Sequence, residues 1–137
     1  MIPDSADLRS GLRRAGLRAT RPRLELAGLI FGSGDRHLTA ESLEREARAA
    51  GIAVPLATVY NTLNCLTDAG LLREIVVDAK RTYFDTNTAP HYHFFYEDDG
   101  RLEDIPADSV AIGGLPEAPS GTRIRDIDLI IRVRNAS

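Results

Sequence analysis

The apolar positions of this chain keep a helical period over its first seventy residues and then change to alternation. Leu8 and Leu12 share one face of a helix predicted over 5–16, with Ser5 able to cap it and Gly16 to stop it. A second helix starts at Arg21-Pro22, with proline in its first turn. It runs through Leu24, Leu26, Ala27, Leu29, Ile30 and Phe31 and closes at Gly32-Ser33-Gly34-Asp35. Thr39, with Ser42 three residues on, reads as a capped start; Leu43 and Ala47 mark the buried stripe, and Gly51 terminates it. After Pro55, the spacing of Val59, Leu63 and Leu66 predicts a fourth helix over 56–69, ended by Gly70.

The period then becomes two. Residues 71–77 and 81–85 read as strands, with polar Asp78-Ala79-Lys80 as the turn between them. Short helices followed by a hairpin are the layout of a winged helix-turn-helix: 39–50 is the support, 56–69 the recognition element and 71–85 the wing. Residues 86–90 read as a hinge. Beyond it, 92–96, 101–105 and 124–133 look like strands, with Asp98-Asp99-Gly100 as a turn and 113–122 as loop. In the last stretch Ile127, Leu129, Ile131 and Val133 alternate with Asp126, Asp128, Ile130 and Arg132, as in a half-buried strand. The predicted class is α+β: a winged-helix domain over 1–85, a hinge at 86–90 and a second module over 91–137. A module of about fifty residues is marginal for independent stability. Its apolar strand near the terminus therefore suggests pairing across a homodimer interface.

Charge sharpens this picture. The 137 residues carry a net charge of −3, unevenly spread. Residues 1–81 hold twelve Arg and Lys against ten Asp and Glu, and residues 82–137 hold five against ten. Arg9, Arg13, Arg14, Arg18, Arg21 and Arg23 follow one another with no acid among them. Such asymmetry points to two modules facing different partners, although an arginine cluster is also an ordinary solvated helix face. No run of eighteen apolar residues exists, and Met1-Ile2-Pro3-Asp4-Ser5 lacks the regions of a signal peptide, so a cytoplasmic protein with no membrane partner is expected. The single Cys65 forms neither an internal disulfide nor a thiolate zinc site.

Two sets of residues carry candidate chemistry. On the fourth helix, Thr58, Tyr60, Asn61 and Thr62 are expected outside the apolar stripe. Hydroxyls donate to phosphates, Tyr and Thr meet thymine methyls, and an Asn amide pairs bidentately with adenine. Arg14, Arg18, Thr20, Arg21 and Arg23 are the expected phosphate contacts. The second set is histidine and aspartate. His91 and His93, two apart on a strand, face the same side, so two imidazoles can share one cation. His37 is expected in the turn between the second and third helices, Asp85 at the end of the wing and Asp104 on a strand of the second module. Three nitrogens and two oxygens suit Fe2+ or Mn2+ and tolerate Zn2+. On spacing alone, a structural or solvated histidine pair stays open, as do two surface acids. A small metallohydrolase built on the cluster would need a general base, and no Glu or His remains in a suitable place.

Taken in order, Leu17-Arg18-Ala19-Thr20-Arg21-Pro22-Arg23, His37-Leu38-Thr39-Ala40-Glu41, Thr58-Val59-Tyr60-Asn61-Thr62-Leu63, Asp68-Ala69-Gly70-Leu71-Leu72-Arg73, and Tyr83-Phe84-Asp85 followed by His91-Tyr92-His93 resemble the Fur family over essentially the whole chain. The resemblance implies an N-terminal winged helix, a C-terminal α/β dimerisation domain and a metal site between them, with His37, Asp85, His91, His93 and Asp104 at the regulatory positions. Two departures stand out. Tyr96 and Asp99 occupy the places of the first cysteine pair of the family's structural zinc site, so no four-cysteine zinc is expected; Pro90 and Tyr92 occupy places of an additional histidine-rich site. The absence of cysteine pairs, Asp85-Thr86-Asn87-Thr88, Asp104-Ile105-Pro106, Leu115-Pro116-Glu117-Ala118-Pro119 and Ile131-Arg132-Val133-Arg134 are similar to the Irr (iron response regulator) branch. That likeness implies a dimeric regulator of iron and haem genes on AT-rich operators, with haem, or a haem-biosynthesis protein, as a further partner. Irr proteins often have three consecutive histidines where this chain has His91-Tyr92-His93, and no Cys-Pro motif is present. A peroxide-sensing Fe/Mn repressor of the same architecture is the alternative.

Overall fold

A computed structural model describes residues 5–136. The Met1–Asp4 stretch read for a targeting signal and the Ser5 side chain read as a cap lie outside what is described. The chain divides into two units between Thr88 and Ala89.

The first unit contains α1 (Ser5–Arg14), α2 (Arg21–Phe31), β1 (His37–Leu38), α3 (Ala40–Ala49), α4 (Leu56–Asp68), β2 (Arg73–Asp78) and β3 (Arg81–Asp85). Its core gathers Leu12, Leu26, Ile30, Leu43, Ala47, Val59, Leu63, Leu66 and Phe84, with Cys65 partly buried against it. Each large member contributes roughly 1.5–3 kcal/mol by leaving water. Helix α3 starts with a reciprocal cap. The Ser42 N–H donates to Thr39 Oγ1 at 3.0 Å, and the Thr39 N–H donates to Ser42 Oγ at 2.9 Å. Thr39→Ala removes an acceptor for an otherwise orphaned helix N–H, so about 1 kcal/mol of stability is expected to be lost in denaturant unfolding. An unchanged midpoint would mean water serves the helix end equally well.

Helix α4 stops at a left-handed residue. Gly70 has φ +80°, a conformation that a Cβ would strain, and the next N–H, of Leu71, donates back to Leu66 O at 2.9 Å. That closure explains a boundary: β2 begins at Arg73 rather than at the predicted residue 71, because Leu71 is spent on the helix end and Leu72 turns into the core. Strands β2 and β3 form the wing, joined by Ala79-Lys80, with Asp78 Oδ1 accepting the Lys80 N–H at 2.9 Å. β1 adds to the other edge of β3, giving an antiparallel sheet in the order β1-β3-β2.

The second unit is a three-stranded sheet in the order β5-β4-β6, from β4 (His91–Tyr96), β5 (Leu102–Pro106) and β6 (Ile130–Val133). β4 and β5 are antiparallel; β4 and β6 are parallel. The predicted strand over 124–133 is shorter than its alternation suggested. Register pairs His93 with Ile130 and Tyr96 with Val133, so the β6 ladder occupies the last four residues of that stretch. Among the described residues, the helical element of this unit is the 3₁₀ turn Ala107–Ser109, and no helix of the chain is long and apolar enough to cross a membrane.

Candidate metal centre and nucleic-acid interface

In the first unit, the antiparallel register of β1 and β3 sets His37 directly opposite Asp85. His37, expected in a turn, is thus held on a strand. Its Nε2 lies 3.2 Å from Asp85 Oδ2. Asp85 is only 1% exposed, and a buried carboxylate is tolerable only when bonded; its other oxygen accepts the Asn87 N–H at 2.9 Å. Arg36 braces the same spot. Its N–H donates to Thr86 Oγ1 at 2.8 Å, and the Thr86 N–H donates to Arg36 O at 3.1 Å. Its guanidinium donates to Leu29 O at 3.1 Å and to both oxygens of Glu46 at 3.0 and 2.8 Å. The hydrogen bond to Glu46 outweighs burial and holds the Arg36 guanidinium above its usual pKa.

In the second unit, the two-residue period of β4 buries His91, His93 and Phe95 on one face. The imidazole centroids are 4.5 Å apart, with the rings crossing at 64°. β5 brings Asp104 opposite His93. Asp104 Oδ1 lies 3.3 Å from His91 Nε2 and 3.4 Å from His93 Nε2, and the three residues offer ligand atoms within 4.8 Å of one another. His91 Nδ1 sits 2.7 Å from the Ala89 carbonyl. A carbonyl only accepts, so Nδ1 carries a proton, and Nε2 is the ring nitrogen that faces Asp104. A backbone carbonyl fixing the tautomer in this way is the usual support of a metal-binding histidine. Borderline nitrogens beside a hard oxygen, without thiolate, fit Fe2+, Mn2+ or Zn2+. Tyr96 and Asp99, in the places of the missing cysteine pair, hold the β4–β5 turn instead. The Arg101 guanidinium lies 3.6 Å over the Tyr96 ring, and the Arg101 N–H donates to Asp99 at 3.0 Å.

The candidate reading face is α4. Tyr60 and Asn61 are exposed and Thr58 half-buried, but Thr62 is at 0% exposure and its hydroxyl donates to Thr58 O at 2.8 Å. Thr62 is therefore a correction: it belongs to the buried stripe, at three residues from Val59 and four from Leu66, and that spacing was visible in the sequence. Arg14, Arg18 and Arg21 are exposed, Thr20 and Arg23 half-buried. Thr20 precedes α2 without a side-chain cap bond, and Arg21 pairs with Glu25. Arg23 reaches Arg18 O at 3.2 Å and Asn61 Oδ1 at 3.5 Å, so a side chain of α2 steadies one on α4.

Glu41 was not anticipated. Tyr60 Oη donates to its carboxylate, across nineteen positions of chain that no local pattern connects. This bond holds the Glu41 carboxyl below its usual range and the Tyr60 phenol above its own. For a carboxylate with a lowered pKa, the bond is fully formed above the ordinary Glu value and is lost as pH falls through the lower one.

Comparison with known proteins places this geometry. The model of the ferric uptake regulator family matches residues 14–131. The ferric uptake regulation protein of Shigella flexneri is 30% identical over 127 residues, covering 91% of this chain and 86% of that protein. The peroxide-responsive repressor PerR of Staphylococcus aureus is 30% identical over 96 residues, 70% of this chain and 64% of that protein. A structure of the ferric uptake regulator from Pseudomonas aeruginosa with manganese superposes with a TM-score of 0.70 at 25% identity, covering 95% of this chain and 98% of that one. The architecture is accordingly a winged-helix domain followed by an α/β domain.

Proposed function

Since the chain belongs to the ferric uptake regulator family of metal-responsive transcription regulators, we propose that it is a cytoplasmic, homodimeric DNA-binding regulator whose affinity for AT-rich operators is set by a divalent metal. The ligands proposed are His37 and Asp85 from the first unit and His91, His93 and Asp104 from the second. The observation that carries this reading is the convergence of two histidine Nε2 atoms on one Asp104 oxygen, with the His91 tautomer fixed by Ala89. Asp85 and His91 are joined by the short segment 86–90, so donors on both sides of one joint can be tied to a single cation. A bound divalent ion supplies charge and a preferred ligand geometry, and through them limits the angles that joint can take.

On the DNA side, Thr58, Tyr60 and Asn61 face base edges, and Arg14, Arg18, Thr20, Arg21 and Arg23 face phosphates. Four arginines per subunit predict a log–log salt slope of about −3.6 for each. Asn61→Ala is expected to flatten discrimination between operators by about 1–3 kcal/mol while leaving that slope in place, read by fluorescence anisotropy on matched duplexes. A uniform loss of affinity with unchanged discrimination would move Asn61 to the phosphate contacts.

The finer reading is an Irr-like regulator of iron and haem genes, supported by the absence of cysteine pairs and by the Irr-like strings in both modules. Titration of the metal-free protein on DNA with Mn2+, Fe2+ and haem added separately tests it. A response to metal and a separate loss of DNA on haem addition is the expected result, and indifference to haem would leave only the metal-responsive reading. The likeness to PerR favours a second reading, in which peroxide oxidises His37 or His91 beside Fe2+. A one-oxygen mass increase on either histidine after peroxide treatment of the Fe2+ form would decide for it.

A further inference from the structure

Glu41 is exposed on the first turn of α3, yet it meets Tyr60, the residue of α4 that is both aromatic and outward-facing, and accepts its hydroxyl hydrogen bond. We propose that Glu41 is a specificity-determining residue: by accepting the Tyr60 hydroxyl's hydrogen bond it bars the phenol from donating to phosphates and leaves it as an acceptor that reads an exocyclic amino group of a base. The assignment rests on the DNA-binding reading above.

The argument is one of hydrogen-bond inventory. A phenol has a single O–H. With that donor committed to Glu41, the Tyr60 oxygen offers only lone pairs outward. Phosphate oxygens are acceptors too and find nothing there to bond. In the major groove, adenine N6 and cytosine N4 are the donors that such an oxygen satisfies. Charge acts in the same direction. Glu41 lies in the first turn of α3, where the helix dipole favours a carboxylate, and Arg45 lies one turn on. A fixed negative charge among the arginines of this face repels every phosphate alike, which weakens sequence-independent binding and leaves base contacts a larger share. A tyrosine that anchored phosphate would need the O–H that is here donated to Glu41.

The probe for the test is a duplex pool of randomised sequence, bound by the full chain loaded with Mn2+, with the bound fraction sequenced and affinities measured across NaCl concentrations. Glu41→Ala is expected to raise affinity for the unselected pool about five-fold, as removal of one unit of repulsion near phosphate implies. It should also steepen the salt slope by about one phosphate contact and erase the selected adenine or cytosine at one position. Glu41→Gln keeps the acceptor and loses the charge, so it should raise pool affinity while keeping that selected base. Tyr60→Phe should erase the same position with the wild-type slope. The proposal is overturned by a Glu41→Ala variant with wild-type pool affinity, or by a Tyr60→Phe variant that weakens binding uniformly across the pool and keeps the selected base. A wild-type chain that binds the pool without salt dependence, or selects no sequence, overturns the DNA-binding reading itself and this assignment with it.

Discussion

His93→Ala is expected to remove the metal response of DNA binding. The imidazole is only 3% exposed, stands opposite Asp104 in the β4–β5 ladder, and points its Nε2 at the oxygen that His91 also faces. Loss of one of the proposed donors is expected to lower metal affinity by about a hundred-fold or more, since even outer supports of ligands carry 10–100-fold. Chelator competition reads the affinity, and anisotropy on an operator duplex with and without Mn2+ reads the response. Circular dichroism separates this from unfolding. Asp104→Asn, at an exposed position, keeps the shape and one neutral oxygen, so it should weaken metal binding less. Wild-type affinity and response in His93→Ala would remove the site assignment altogether.

Phe84→Ala carries the largest expected loss of stability. Phe84 is among the largest fully enclosed side chains of the first unit, on the central strand of its sheet and paired across to Leu38. Truncation removes transfer energy and leaves a cavity that strands on both sides prevent from closing, so about 3–5 kcal/mol is expected. In thermal melts that corresponds to a fall of roughly 15 °C or more. Asp85 follows directly on the same strand, so metal affinity should weaken too, as a smaller secondary effect. A loss below about 1 kcal/mol would mean that the hairpin contributes little to the core.

The helices were legible because each had an apolar face, and three of the four ended near a glycine in the left-handed region, Gly16, Gly51 and Gly70. The wing was legible from the change of period at residue 71. What pattern could not supply was pairing. A strand exists through its partner, so the alternation over 124–133 overstated β6, and two residues at 37–38 with no visible periodicity became β1 because β3 had a free edge for them. The same limit applies to the sites. His91 and His93 were legible as neighbours on one face, since alternation dictates it, whereas the Ala89 carbonyl that orients His91 and the Glu41 carboxylate that meets Tyr60 follow from backbone course. Thr62 was misplaced for a different reason. Its hydroxyl satisfies itself on the preceding turn, which lets a polar residue lie in an apolar stripe.

Between His37 and the first residue of α3 stand only Leu38, which is buried, and Thr39, which is locked into the helix cap. No slack exists there to take up a load. Any force applied to the His37 imidazole is delivered to the end of a stiff rod about 15 Å long, and the Arg36–Glu46 clasp pins that rod a second time near its far end. A displacement too small to disturb the core would therefore arrive beneath α4 as a tilt rather than fade into a flexible loop.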